Sequence, residues 1–323
     1  MKEKLPETMR AAVIDGLGGP EVLHLVRAPL PSPQSGEVLV RVRSAALNPI
    51  DTKTRAGKGA SGGITSYPLT LGNDFSGTVV QAIDDEHPLQ PGTEVYGMLS
   101  VPLTGGSYAE YAAVPITAVG PIPHNLRVED AAAVPLAALT AQGALREGGV
   151  TAASRVLIHA GAGGVGHFAV QLAAIAGAEV ITTASARNAD WLRSLGAEQV
   201  IDYRETRFED ALDGIDVVID LIGNVHDYTA TRSLRVLRPG GTIVNVPTRS
   251  WPTMAEEAEA AGVRATGYRV TPDAANLAEI TALIEEGRLT VNIDARFPLE
   301  QIAEAHRLLE EGHTRGKIVI DVG

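Results

Sequence analysis

The residues with the plainest chemical potential are Gly161-Ala-Gly163-Gly164-Val165-Gly166, whose glycines follow the spacing G-x-G-x-x-G. That spacing suits a polyphosphate. Gly161 is expected to make the turn, and Gly163 to let a pyrophosphate approach the backbone. Gly166 is expected to let a helix pack closely on the preceding strand, with the helix's first N–H groups facing the phosphates. About twenty residues further on, a carboxylate would signal an adenosine ribose with a free 2′-hydroxyl. The chain there reads Val180-Ile-Thr-Thr-Ala-Ser185-Ala-Arg187, with no carboxylate. A guanidinium forks onto phosphate oxygens and a serine donates to them, so the pair suits a 2′-phosphate. The expected cofactor is NADP(H), held by Ser185 and Arg187, with Arg193 and Arg204 as further candidates.

These residues need a scaffold, and the flanking pattern supplies one. An apolar run at 156–158, in a strand expected at 156–159, leads into the glycines, and Val165, Phe168, Ala169, Leu172 and Ile175 then recur at helical spacing. Strand, tight turn and helix follow in the order the dinucleotide-binding fingerprint requires. Further strands are expected at 180–183, 199–201, 216–219 and 242–246. Helices are expected at 167–176, 189–195, 208–212 and 228–237 between them. Pro239-Gly-Gly241 is expected to break the chain before the fifth strand. Such alternation is the pattern of a parallel α/β sheet. Upstream, residues 1–127 read as short strand-like runs, including 13–14, 22–23, 37–43, 77–81 and 94–96, separated by Gly- and Pro-rich turns. An Ala-rich helix is expected from 128 to about 146. Helices at 276–286 and 299–311 and a closing strand at 317–320 complete the chain.

Composition narrows the partners. With 27 Lys and Arg against 39 Asp and Glu, the net charge of −12 disfavours nucleic acid and anionic membrane surfaces. The absence of cysteine removes disulfides, thiolate zinc sites and a cysteine nucleophile. The eight histidines show no ligand pairing such as H-x-x-x-H, so no metal site is expected. The opening Met-Lys-Glu-Lys-Leu-Pro-Glu has no apolar leader pattern, and no run approaches 18 apolar residues. A cytoplasmic location is the expectation.

Several ordered motifs are shared with one family: Leu47-Asn48-Pro-Ile-Asp51, Leu71-Gly-Asn-Asp74-Phe-Ser-Gly77, Gly106-Ser-Tyr-Ala-Glu-Tyr111, Leu139-Thr140-Ala-Gln142, the glycine loop, Leu195-Gly-Ala197 with Asp202-Tyr203, Leu237-Arg-Pro-Gly-Gly241 and Gly316-Lys-Ile-Val319. With them the whole chain resembles the medium-chain dehydrogenase/reductase superfamily, in its zinc-independent quinone oxidoreductase, or zeta-crystallin-like, branch. The resemblance implies a doubly wound Rossmann sheet at 128–262 and a GroES-like β-rich domain at 1–127. It also implies that residues 263–323 return to the first domain, and that the active site lies between the two domains. Zinc-dependent relatives take metal ligands from a Cys and a His whose positions correspond to Asn48 and Asn73. Neither asparagine is a normal zinc ligand.

The implied activity is NADPH-dependent hydride transfer to a quinone or an α,β-unsaturated carbonyl, chemistry that asks for less polarisation than a simple carbonyl. By resemblance, Asn48 and Thr140 lie near the nicotinamide and its ribose, Tyr203 near the adenosine phosphate, and Val246, Gly267 and Tyr268 border the nicotinamide. The phosphate loop comprises Gly161, Gly163, Gly164, Val165 and Gly166. The chain departs from the branch where tyrosines are common, carrying Lys53 and the Gly-rich 57–63 instead. Asp51 and Tyr67 are the candidate proton donors, each with a structural alternative as a helix cap or a loop anchor. Two other readings stay open. One is an enoyl-thioester reductase, which a basic cluster of Lys53, Arg55 and Lys58 would favour. The other is a low-turnover NADPH-binding sensor or structural protein. The family's habit also implies a homodimer or tetramer.

Overall fold

Val38, Val40 and Val42 fall at every second position, and all three are buried on one face of the strand Glu37–Ala46. The opposite face carries Leu39 into a second apolar cluster with Met9, Ala11 and Val13. That two-sided strand is the centre of the first part of the chain. In the computed structural model, which describes residues 5–103 and 105–323, the chain divides into two compact units. Unit 1 runs to Ala137 and resumes at Thr271–Gly323; unit 2 is Ala138–Val270. The first four residues of the leader reading lie outside the described residues.

Unit 1 begins with β1 (Thr8–Ile14), β2 (His24–Pro29), β3 (Glu37–Ala46) and the helix α1 (Pro49–Arg55). It continues with β4 (Leu69–Thr70), β5 (Asp74–Gln81), β6 (Glu94–Met98), β7 (Tyr111–Pro115), β8 (Val119–Pro121) and the short α2 (Val128–Ala131). Helix α3 (Pro135–Gly148) leads into unit 2. There follow β9 (Arg155–Ile158), α4 (Gly166–Ile175), β10 (Glu179–Ala184), α5 (Ala189–Ser194), β11 (Gln199–Asp202) and α6 (Phe208–Ala211). Then come β12 (Ile215–Asp220), α7 (Thr229–Ser233), β13 (Leu237–Asn245), α8 (Met254–Ala260) and β14 (Arg264–Gly267). Unit 1 is completed by α9 (Ala274–Glu285), β15 (Ile293–Pro298), α10 (Ile302–Glu310) and β16 (Lys317–Asp321).

In unit 2 the strands are all parallel, in the order β11-β10-β9-β12-β13-β14. This is the doubly wound order, and it reverses direction between β9 and β12, the point where such sheets bind ligands beyond their carboxyl ends. Leu157, Ile181, Val218 and Ile243 are buried in its core at about 1.5–3 kcal/mol each. In unit 1, β16 pairs antiparallel with β3, so the last strand completes a seven-stranded sheet built mainly from the N-terminal segment. The α/β fold expected from the alternation is present.

Several elements differ from expectation. The helix expected over 128–146 is two helices, because Pro135 has no N–H to continue the first and instead opens the second. The expected helix 228–237 is confined to α7, preceded by Tyr228 at φ 59° and followed by turns. The pattern at 22–23 ends a single 3-10 turn, Pro20–Val22, ahead of β2. Pro239-Gly240-Gly241 lies within β13, where the register against β12 shifts. The sixth parallel strand, β14, is polar enough in sequence that periodicity does not mark it.

Candidate functional site

Within unit 2, the loop from β9 to α4 is held from behind. The N–H of Gly161 donates to Thr183 O and that of Ala160 to the Thr183 hydroxyl. His159 is buried between two hydroxyls, with Nδ1 3.1 Å from Thr183 Oγ1 and Nε2 2.9 Å from Ser233 Oγ. Ser233 donates its proton to Thr229 O, so its oxygen accepts from His159 Nε2–H. Thr183, already accepting from Ala160, is left to donate to Nδ1. These directions fix the neutral Nε2–H tautomer. Burial pushes His159 down to about 4, which keeps it neutral.

Within the turn it is Ala160, at φ 54°, that takes the left-handed conformation, with Gly161 next to it. Gly161 is needed for a different reason: a Cβ there would overlap the Thr182 hydroxyl on β10. Gly166 behaves as expected, since its missing side chain lets the first turn of α4 lie against the Ala160 carbonyl. Gly163 has only Ala160 O within reach, at 3.3 Å, so a Cβ there would meet one atom. A closely fitted loop leading into a helix N-terminus fits a dinucleotide pyrophosphate.

The other candidate residues of unit 2 follow the carboxyl ends of their strands. Ser185 and Arg187 come after β10, Tyr203 after β11, Val246 after β13, and Gly267 with Tyr268 at the end of β14. Ser185 is buried and accepts from Asn188 Nδ2; Arg187 is exposed. Tyr203 is exposed under the Arg204 guanidinium, which lies 5.8 Å from its ring centroid. Thr140 is buried on α3. Tyr268 lies across Gly143 of the same helix, where any side chain would collide with the phenol. Sequence reasoning missed a carboxylate here. Asp202, at the end of the neighbouring strand, accepts the N–H groups of Ala186 and Arg204 at 3.0 Å each. It also missed Asp220, whose oxygens accept from Ile222 N, Gly223 N and Asn245 Nδ2 and thereby shape the loop after β12. A carboxylate ending an apolar strand was the available signal.

Within unit 1, a buried polar cluster gathers where β3 ends and α1 begins. Asp51 accepts from Asn48 N–H at 2.8 Å, capping α1, and from Asn73 Nδ2 at 2.6 Å. Asn48 donates through Nδ2 to Asp74 Oδ2 at 2.9 Å. Asp74 also accepts from Leu136 N–H and from Lys317 Nζ. Burial pushes Asp51 up to about 7 and also raises Asp74, with each carboxylate's hydrogen bonds and Lys317 opposing the shift. Tyr108 is buried nearby, and burial, followed by the charge of Asp51, raises its pKa well above the usual range.

The structure thus brings Asn48, Asp51, Asn73, Asp74 and Lys317 together. Tyr67 is half-exposed in the loop before β4 and takes no part in these bonds. Arg55 turns inward, to Gly18 O, His306 and Glu310, and so leaves the basic cluster weighed with Lys53 and Lys58. The donor set does not suit zinc. The Asn48 and Asn73 amide nitrogens are committed as donors, both carboxylates are already bound, and among the described residues no group of three His, Cys, Asp or Glu is arranged to hold an ion.

Comparison with known proteins is consistent along the whole chain. Residues 34–124 match the family described as alcohol dehydrogenase GroES-like domain, and residues 195–320 the family described as zinc-binding dehydrogenase. The NADPH-dependent alkenal/one oxidoreductase of Arabidopsis thaliana is 34% identical over 98% of this chain and 80% of its own. The 2-methylene-furan-3-one reductase of Solanum lycopersicum is 33% identical over the same shares. Among solved structures, the quinone oxidoreductase from Coxiella burnetii superposes with a TM-score of 0.89, at 39% identity, covering 98% of this chain and 100% of that one.

Proposed function

The chain belongs to the medium-chain dehydrogenase/reductase superfamily, in its quinone oxidoreductase-like branch, and from that premise we propose that it is an NADPH-dependent, zinc-free oxidoreductase. Its substrates are quinones or α,β-unsaturated carbonyls, in keeping with the relatives named for alkenals, enones and quinones. The observation that carries the reading is the braced glycine loop at the switch point of a doubly wound sheet.

When bound, the nicotinamide supplies hydride to the β-carbon of an activated alkene or to a quinone. The protein's share is holding and positioning. We assign the pyrophosphate to Gly161, Gly163, Gly164, Val165 and Gly166, and the 2′-phosphate to Ser185 and Arg187. Tyr203 is assigned to the adenosine end, Asn48 and Thr140 to the nicotinamide ribose, and Val246, Gly267 and Tyr268 to the nicotinamide border. Asp51 supports a structural role better than a proton-donating one, because both its oxygens are occupied inside the fold. Tyr67, half-exposed, is the better placed of the two as a donor. Zinc independence is supported by the amide and ammonium chemistry around Asn48. The inward turn of Arg55 weakens the enoyl-thioester reading.

No helix among the described residues is long and apolar enough to cross a membrane. We place the protein in the cytoplasm as a homodimer or tetramer, which fractionation and light scattering check. An edge position for β14 supports self-association. Steady-state oxidation of NADPH with 1,2-naphthoquinone, 9,10-phenanthrenequinone and a 2-alkenal tests the activity. Turnover is expected with at least one and should survive chelators. Tight NADPH binding without turnover on all three would favour a sensor role instead.

A further inference from the structure

Lys317 takes no part in the cofactor assignments, yet it is among the most completely bonded side chains of unit 1. Its ammonium carries three N–H donors, and each meets an oxygen: Leu47 O at 2.9 Å, Asn48 Oδ1 at 2.5 Å and Asp74 Oδ2 at 3.2 Å. The side chain is 3% exposed, so this is an internal contact and no surface ion pair. The backbone delivers it to one place. Gly316 sits at φ 84°, where a Cβ would collide with Asn292, and Leu47 N–H donates to Ile318 O.

The consequence falls on Asn48. Its Oδ1 faces the ammonium and its Nδ2 faces the Asp74 carboxylate. A flipped amide would set NH2 against the ammonium and oxygen against the carboxylate, so only one orientation is compatible with both charges. The cation at this cluster is covalently attached to the chain. A compact ammonium with three rotatable donors fits such a cage, whereas a planar guanidinium would not.

We propose that the Lys317 ammonium is a resident cation occupying the cage formed by Leu47 O, Asn48 and Asp74, and that it acts as a positioning residue by locking the Asn48 carboxamide. Its effect on turnover rests on the placing of Asn48 at the nicotinamide; the cage itself does not.

The test uses Lys317→Ala in the full chain, with propylammonium as the replacement cation. Thermal melting should show a saturable rise with propylammonium chloride that neither 1-propanol nor sodium chloride reproduces. Without amine, kcat on a quinone should fall about tenfold or more, and propylammonium should restore part of the kcat. A folded variant that melts identically with and without amine overturns the cage. One that keeps the wild-type kcat overturns the positioning role. If Lys317→Ala does not fold, the double variant Lys317→Met/Asp74→Asn removes both charges at similar volume, and wild-type kcat there overturns the positioning role equally. Should the wild-type chain reduce none of the quinones or enones, the functional reading fails, while the melting experiment still decides the cage.

Discussion

At the scale of single residues, the cofactor phosphate and the buried carboxylates make the sharpest claims. Arg187→Ala should erase most of a preference for NADPH over NADH that we expect to be at least about tenfold, or about 1.4 kcal/mol. Fluorescence titration with both dinucleotides reads it, and an unchanged preference would reject the 2′-phosphate assignment. Asp51 makes a claim about pH. Its carboxyl holds a proton to about pH 7 in the fold, against 3.8 for the free group, chiefly because it is buried. Between those values the native state binds more protons than the unfolded one. Stability therefore falls as pH rises through that window, by up to the order of 4 kcal/mol. Denaturant midpoints at pH 5 and pH 8 should differ accordingly, and Asp51→Asn should flatten the difference. Asn48 with Asp51, and separately Asn73, were legible through two family motifs, but that the three meet was not. Nor could the sequence show Lys317 among them, since 243 positions separate it from Asp74 and only the pairing of β16 with β3 brings the two together.

At the scale of elements, the join between β9 and α4 was legible and its mechanics were not. Strand, glycines and helix were all apparent from periodicity. That Ala160 adopts the left-handed conformation, while Gly161 is small for the sake of Thr182, depends on β10 lying alongside. Helix starts and stops were read less well where one residue decides: Pro135 splits an Ala-rich stretch, and Tyr228 at positive φ shortens the helix after it. Gly166→Ala tests the join directly. Its Cβ would press on the Ala160 carbonyl, so the first turn of α4 must move. We expect a loss of about 1–3 kcal/mol in stability, read by thermal melting, together with weaker NADPH binding. Tight binding in a destabilised variant would show that the loop tolerates the displacement.

At the scale of the whole molecule, the α/β class and a parallel sheet followed from alternation, whereas the doubly wound order and the discontinuity of unit 1 came from resemblance, because no local pattern says that residue 319 returns to residue 46. The two units should differ when separated. Residues 138–270 contain every strand of their sheet and should fold alone, with a cooperative melt by circular dichroism. Residues 5–137 lack β16, which pairs with the end of β3, and the ammonium beside Asp74, and should not. A cooperative melt from the shorter piece would contradict this account of its stability. The same connection has a consequence for how the protein is made. On the ribosome the carboxylates of Asp51 and Asp74 emerge early, while Lys317 is translated only after all of unit 2. During that interval the nascent first unit holds an uncompensated acidic pocket, which favours an open, unlatched form until the final strand arrives. Translation of β16 is then also the event that closes the first-made part of unit 1.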